Sequence, residues 1–223
     1  MREHPRSETR FARRAPLLSL LACTLLSSCS SVYYGTLEKF GVEKRDILAD
    51  RLQSAQDAQA SAKDQFVSAL DTYRSVVKVE GGDLEKTYDR LNASFEQSMR
   101  RADAVRERVA AVQTVADDLF AEWEGELGEY SDPDLRRRSE RQLRATRTKY
   151  GQVMTAMHRA EQSMDPVLAL FQDQVLVLKH DLNARAIGAL DNELDDVEKA
   201  TAALVADMER AIAESKEFIA TVG

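Results

Sequence analysis

Apolar residues recur along this chain at alternating steps of four and three, a spacing that restricts it to long helices burying one stripe against other helices. From Leu48 the series runs Leu52, Ala55, Gln59, Ala62, Phe66, Ala69, Tyr73 and Val76, and Gln59 is its single polar member. A second series keeps the alternation without a slip through Leu84, Tyr88, Leu91, Phe95, Ser98, Ala102, Val105, Val109, Val112, Ala116, Leu119 and Trp123. A third passes through Leu143, Thr146, Tyr150, Val153, Met157, Ala160, Met164, Val167, Phe171, Gln174 and Leu178. It crosses Pro166 in phase, so Pro166 is expected to kink or loosen a continuing helix rather than end it. The fourth, Ile187, Leu190, Leu194, Val197, Thr201, Leu204, Met208, Ala211, Ser215 and Phe218, is out of register with the third. With only four prolines and nine glycines in 223 residues, little else interrupts these stripes. Ala55, Ala62 and Ala69 predict a close helix approach along the first of them.

Local chemistry predicts three turns. Gly81-Gly82-Asp83 supplies a flexible stop followed by an N-cap, and Asp132-Pro133 places a cap and a first-turn proline at the end of the 128–134 stretch. The third turn is expected within 183–188, where Asn183 and Gly188 are the local breakers. Lys179 and His180 would then sit at a helix C-terminus and Asp191, Glu193, Asp195 and Asp196 near an N-terminus, as the helix dipole favours. Helices of roughly 45, 45, 49 and 36 residues follow, each about 55 to 73 Å long. Comparable lengths and short connections predict an all-α chain, an elongated antiparallel four-helix bundle of coiled-coil character over residues 35–223. The alternative is a single rod made of the last two helices, burying its stripe by oligomerising.

The amino-terminal segment carries a different message. Arg2, Arg6, Arg10, Arg13 and Arg14 precede an apolar run from Ala15 to Leu26 that is too short to span a membrane, and Leu26-Ser27-Ser28-Cys29 closes it. That closing stretch resembles a bacterial lipobox. The resemblance implies that residues 1–28 are a removed signal peptide and that Cys29 carries a diacylglycerol thioether as the new amino terminus, usually acylated further. Leu20-Leu21-Ala22-Cys23 fits less well, because the apolar run before it is short and a leucine stands two residues before the cysteine. Arg13-Arg14 lacks the surroundings of a twin-arginine signal, which leaves the general secretory route. Residues 29–34 then form the acylated terminus and a short tether, with Tyr33 and Tyr34 placed for the headgroup level or for packing on the bundle end.

Removal of the leader leaves 195 residues with 26 basic and 36 acidic side chains, a net charge of −10. Such a balance disfavours nucleic acid as a partner, and cleavage at Cys29 leaves no pair of cysteines for a disulfide.

Tyr33-Tyr34-Gly35-Thr36-Leu37-Glu38-Lys39-Phe40-Gly41-Val42-Glu43-Lys44-Arg45-Asp46-Ile47-Leu48 and Phe171-Gln172-Asp173-Gln174-Val175-Leu176-Val177-Leu178-Lys179-His180-Asp181-Leu182-Asn183-Ala184 carry a further likeness. Together with Asp50-Arg51 and Gln56-Asp57-Ala58-Gln59, they resemble bacterial lipoproteins grouped as domain-of-unknown-function family 2959. The likeness covers nearly all of the mature chain. It implies a lipid anchor and a helical body, and it supplies no catalytic residue.

Four groups of side chains are candidates for function. Arg136, Arg137 and Arg138, with Arg141, Arg144, Arg147 and Lys149, could grip anionic lipid if their turn lies at the anchored end. Asp117, Asp118, Glu122, Glu124, Glu126 and Glu129 precede the same turn, so antiparallel pairing of the two sets is the simpler expectation. His158 and His180 belong to no metal array, since a di-metal bundle needs repeated inward Glu and Glu-x-x-His ligands and His158 precedes Glu161 once, in the opposite order. Trp123, Tyr88, Phe95, Phe66, Tyr73, Met157, Met164 and Phe171 could line an apolar pocket, yet all occupy stripe positions and are expected in packing.

No Gly-rich phosphate loop, nucleophile motif or cofactor signature appears, so no enzyme activity or cofactor is expected. The expected role is that of a lipid-anchored envelope lipoprotein facing the periplasm, a structural or protein-interaction element with an unidentified envelope protein as partner and oligomers possible. Ser30 in place of the aspartate typical of inner-membrane retention points to the outer membrane. The alternative is a small-molecule or lipid-binding sensor bundle.

Overall fold

A computed structural model describes residues 44–78, 83–180 and 184–222. They form four α-helices and, among the described residues, no strand: α1 (Lys44–Val77), α2 (Leu84–Glu126), α3 (Pro133–His180) and α4 (Ala184–Val222). Each helix packs on the next and α4 closes the ring against α1, which makes a four-helix bundle. Neighbours run antiparallel. Lys44 at the start of α1 meets Glu122 near the end of α2 at 2.9 Å, whereas Gln65, further along α1, donates to the Ser94 carbonyl of α2 at 3.3 Å. Lys63 and Arg74 reach back along α4 to Glu209 and Glu198, at 3.2 and 2.8 Å. Arg106 of α2 holds Asp165 of α3 at 2.6 Å, while Phe120, later in α2, meets Tyr150, earlier in α3.

Two of the three turns carry the predicted caps, while Gly81 and Gly82 lie outside the described residues. The Asp83 side chain accepts from the Lys86 amide at 3.2 Å and caps α2. Asp132 Oδ1 accepts from the amides of Asp134 and Leu135 at 2.7 and 3.4 Å, directly before Pro133 at the first position of α3. The third turn lies earlier than expected. α3 ends at His180 and α4 begins at Ala184, so Gly188 stands inside α4 instead of in the turn. A Cβ at Gly188 would meet nothing within 4 Å, and an exposed glycine one turn into a helix costs only about 1 kcal/mol relative to alanine, which the stripe that follows outweighs. Arg159 and Ser163 of α3 meet Asp207 of α4 at 2.9 and 2.6 Å, so the last two helices fold back on each other, which excludes the single rod. α3 continues through Pro166, as the phase of its stripe predicted, and Pro166 itself is exposed. α1 is shorter than expected in the described residues, 34 rather than about 45, because residues 35–43 lie outside them.

The predicted stripes face inward. Leu48, Leu52, Ala55, Ala62, Phe66, Ala69, Tyr73 and Val76 of α1 are fully buried, as are Met157, Met164, Phe171 and Leu178 of α3 and Leu190, Leu204 and Met208 of α4. Each large apolar side chain so buried contributes about 1.5 to 3 kcal/mol. The centre is aromatic across the diagonal, where Tyr73 of α1 meets Phe171 of α3 edge to face with centroids 5.7 Å apart. The Tyr73 hydroxyl donates to the Leu190 carbonyl of α4 at 2.8 Å, so one side chain ties three helices. Burial, and then the charges of Glu193 and Asp191, push its pKa far above the physiological range and keep that proton in place.

Candidate functional site

The end of the bundle where α1 begins also holds the α2–α3 turn, and most of the candidate side chains gather there. Trp123 Nε1 donates to Ser139 Oγ across the turn at 2.8 Å, and the Arg45 guanidinium lies 5.6 Å from the Trp123 ring. Beneath them Phe120, Tyr150 and Phe218 make an aromatic run through α2, α3 and α4, with centroids 5.3 and 6.2 Å apart. Arg147 stacks 5.1 Å from the Phe120 ring and pairs with Glu124, holding that carboxyl below the usual carboxylate range. Asp117, Phe120, Ala121, Glu124, Arg147 and Tyr150 together line an open cleft of about 330 Å³. The Tyr150 hydroxyl is buried without a partner among the described residues. Burial and then the Asp117 charge raise its pKa, so it stays protonated.

The arginine run divides when it is wound on α3. Arg136 pairs with Glu140 at 3.1 Å and Arg137 with Asp134, both within their own helix. Arg138, Arg141 and Arg144 point to solvent without an ion pair among the described residues. Pairing with the acidic residues of α2 was the simpler expectation, and in this cluster it holds at Arg147–Glu124; Glu122 is taken instead by Lys44. Next to the arginines, Leu135 is 48% and Tyr130 40% exposed, two of the largest apolar surfaces on the described chain. Cys29, Tyr33 and Tyr34 lie outside the described residues.

The remaining candidates fall apart in space. His158 Nδ1 is 2.7 Å from Glu161 Oε2 on the same face of α3, while His180 is the exposed last residue of that helix. Among the described residues no group of three His, Cys, Asp or Glu side chains is placed to hold a metal ion. Phe66, Tyr73, Met157, Met164 and Phe171 are fully buried and Phe95 nearly so. Tyr88 and Trp123 are half-buried.

The stripe pattern missed a buried acid. Asp207 of α4 is 7% exposed, and its carboxylate accepts from Ser163 Oγ at 2.6 Å, from Arg159 at 2.9 Å and from Arg210 at 3.1 Å. Burial pushes its pKa up, but the Ser163 and Arg159 hydrogen bonds with the charges of Arg159 and Arg210 outweigh that, and the net shift is downward. The stabilisation is therefore complete above the unfolded carboxyl pKa of about 3.9 and is lost as pH falls through the lower folded value. Asp207→Asn should cost about 1 to 3 kcal/mol at pH 7, moderated because both arginines are half in water. Urea denaturation should show the gap between the proteins closing below about pH 4, and an unchanged gap at pH 3 would assign the loss to packing instead of charge.

A family model described as "Protein of unknown function (DUF2959)" matches residues 33–222. No curated protein matches the chain.

Proposed function

Since the chain belongs to the DUF2959 family, whose description names no activity, we propose from its leader and its geometry that it is a lipid-anchored envelope protein facing the periplasm. Its bundle serves as a structural or protein-interaction element with no chemical step of its own. The observation that carries this reading is the basic and apolar leader ending in Leu26-Ser27-Ser28-Cys29. Chain order supports it, because α1 begins fifteen residues after Cys29 and its start shares one end of the bundle with the α2–α3 turn. Tyr33 and Tyr34 would lie at the headgroups, and Tyr130, Leu135 and Arg138 present an apolar and basic edge at that same end. Arg136 and Arg137 reach a membrane only by leaving Glu140 and Asp134. Most large apolar side chains among the described residues are committed to the core, which leaves the exposed surface as the working part. Ser30 favours the outer membrane over the inner.

Mass spectrometry of protein extracted from membranes should find Cys29 as the mature amino terminus, carrying a diacylglycerol thioether. Cys29→Ser should remain as unprocessed precursor or leave the membrane fraction while its helical circular dichroism stays that of the folded bundle. A terminus at Cys23, or an unmodified soluble product, sinks the assignment to Cys29.

A further inference from the structure

The outer face shared by α1 and α2 has a charge pattern that the anchor and the core do not use. Every seven residues α1 repeats a serine, a buried alanine and, two residues on, an aspartate, beginning at Ser54, Ser61 and Ser68. Seven residues are two helical turns, so Asp57, Asp64 and Asp71 form one straight exposed row with steps of about 10 Å. Across the groove, α2 places Arg101 and Arg108 on one row at the same seven-residue step.

The antiparallel register brings these rows within reach of one another. Gln65 reaches both Ser94 and Ser98, at 3.3 and 3.5 Å, which puts Asp64 about one helical turn from the level of Arg101 and, one heptad away, Asp57 about one turn from that of Arg108, and side chains that lean toward their own helix N-termini close that step. Asp57, Arg101 and Arg108 indeed line one cleft of about 400 Å³ together with small residues of both helices. Yet the groove separates them. Neither arginine makes an ion pair among the described residues, and neither has a carboxylate three or four positions away along α2. The Asp57 carboxylate accepts instead from Gln53 at 2.9 Å.

We propose that this face is the docking surface for a second copy of the chain, related by a two-fold axis parallel to the helices. That operation sets α1 of each copy against α2 of the other at equal height, so Asp57 and Asp64 of one copy meet Arg108 and Arg101 of the other, four pairs in all. Small side chains at Ser54, Ser61 and Ala104 let the two faces approach. The axis also brings both α1 starts to one side, where a single membrane can hold both copies. Two helices wide and three heptads long, the face buries roughly 600 Å² per copy, at the lower end for a specific dimer. The association is accordingly reversible and aided by confinement to a surface.

The test is sedimentation velocity on the full chain carrying Cys29→Ser, alone and with charge exchanges on these exposed positions. Asp57→Arg with Asp64→Arg makes both facing rows basic over these two heptads, and Arg101→Asp with Arg108→Asp makes them acidic. Each variant alone should associate at least about tenfold more weakly than the parent, because like charges then face each other across the axis. Mixed together, the two should recover dimers, since in the mixed pair every facing row has opposite sign. Circular dichroism of each variant establishes that it is folded. A parent that stays monomeric up to roughly 1 mM, the concentration a surface tether can supply, overturns the proposal. So does association that survives every exchange, which would place the contact elsewhere, or a mixture no more associated than its components. Because this protein carries no acyl chain, the outcome stands whether or not Cys29 is the natural anchor.

Discussion

Val109→Asp should destabilise the bundle by about 4 kcal/mol or more, enough to leave much of the protein unfolded if its stability is that of an ordinary domain. Val109 is 1% exposed on the inner face of α2, one turn from Val105 and Val112, which are fully buried. The substitution removes about 1.5 kcal/mol of apolar burial and puts a carboxylate at a nearly water-free position between Val105 and Val112, where Arg106, the cation one turn back along the helix, is already held by Asp103 and Asp165, so the group must ionise without a free partner or pay to stay protonated. Gln113→Asp, four residues on and exposed, changes the same helix by a similar charge and should stay within about 0.5 kcal/mol of the parent. Urea denaturation followed by helical circular dichroism separates the two. Equal midpoints for Val109→Asp and the parent would show that the second stripe does not face the core.

The fold was largely legible because its determinants are local and periodic. Alternating steps placed Phe66, Tyr73, Met157, Met164 and Phe171 inside, and Asp83 and Asp132-Pro133 carry their turn chemistry in two or three adjacent residues. Where the local signal weakened, the reading slipped. Nothing near 181–183 resembles a proline stop or a paired-glycine turn, so Gly188 drew the boundary toward itself although it belongs to α4. The surface was legible in kind but not in detail. Arg136, Arg137 and Arg138 are one cluster in the sequence, but a helix turns about 100° between successive residues, and their three side chains part to Glu140, to Asp134 and to solvent. The Asp207 clamp depends on Arg159 and Ser163, 48 and 44 residues away, and becomes visible only once the register of α3 against α4 is known. Gln56 was overlooked for a related reason: it lies beside the stripe, not on it, yet it is 3% exposed because α4 covers that flank of α1.

Gln59→Leu should act in the opposite direction and stabilise the protein by about 2 to 3 kcal/mol. Gln59 is fully buried in the first stripe, and neither its Nε2 nor its Oε1 has a partner among the described residues. An amide taken out of water without replacement bonds costs about 1 to 3 kcal/mol, and a leucine of similar volume removes that cost and adds apolar burial. Two buried serines of the interior show the contrast. Ser98 and Ser215 return their hydroxyls to carbonyls four residues back, at 2.9 and 2.8 Å, and their replacement should bring no comparable gain. A polar side chain at a core position is also a device for fixing register, because sliding the helices would move it against a different layer. The denaturant slope reports on that role. A raised midpoint with the parent's slope means that the other layers hold the register and that Gln59 is a pure cost to the fold. A raised midpoint with a shallower slope means that the bundle has gained alternative packings, and that the glutamine specified one of them. A lowered midpoint would overturn the premise, since it requires the buried amide to be bonded in the folded protein.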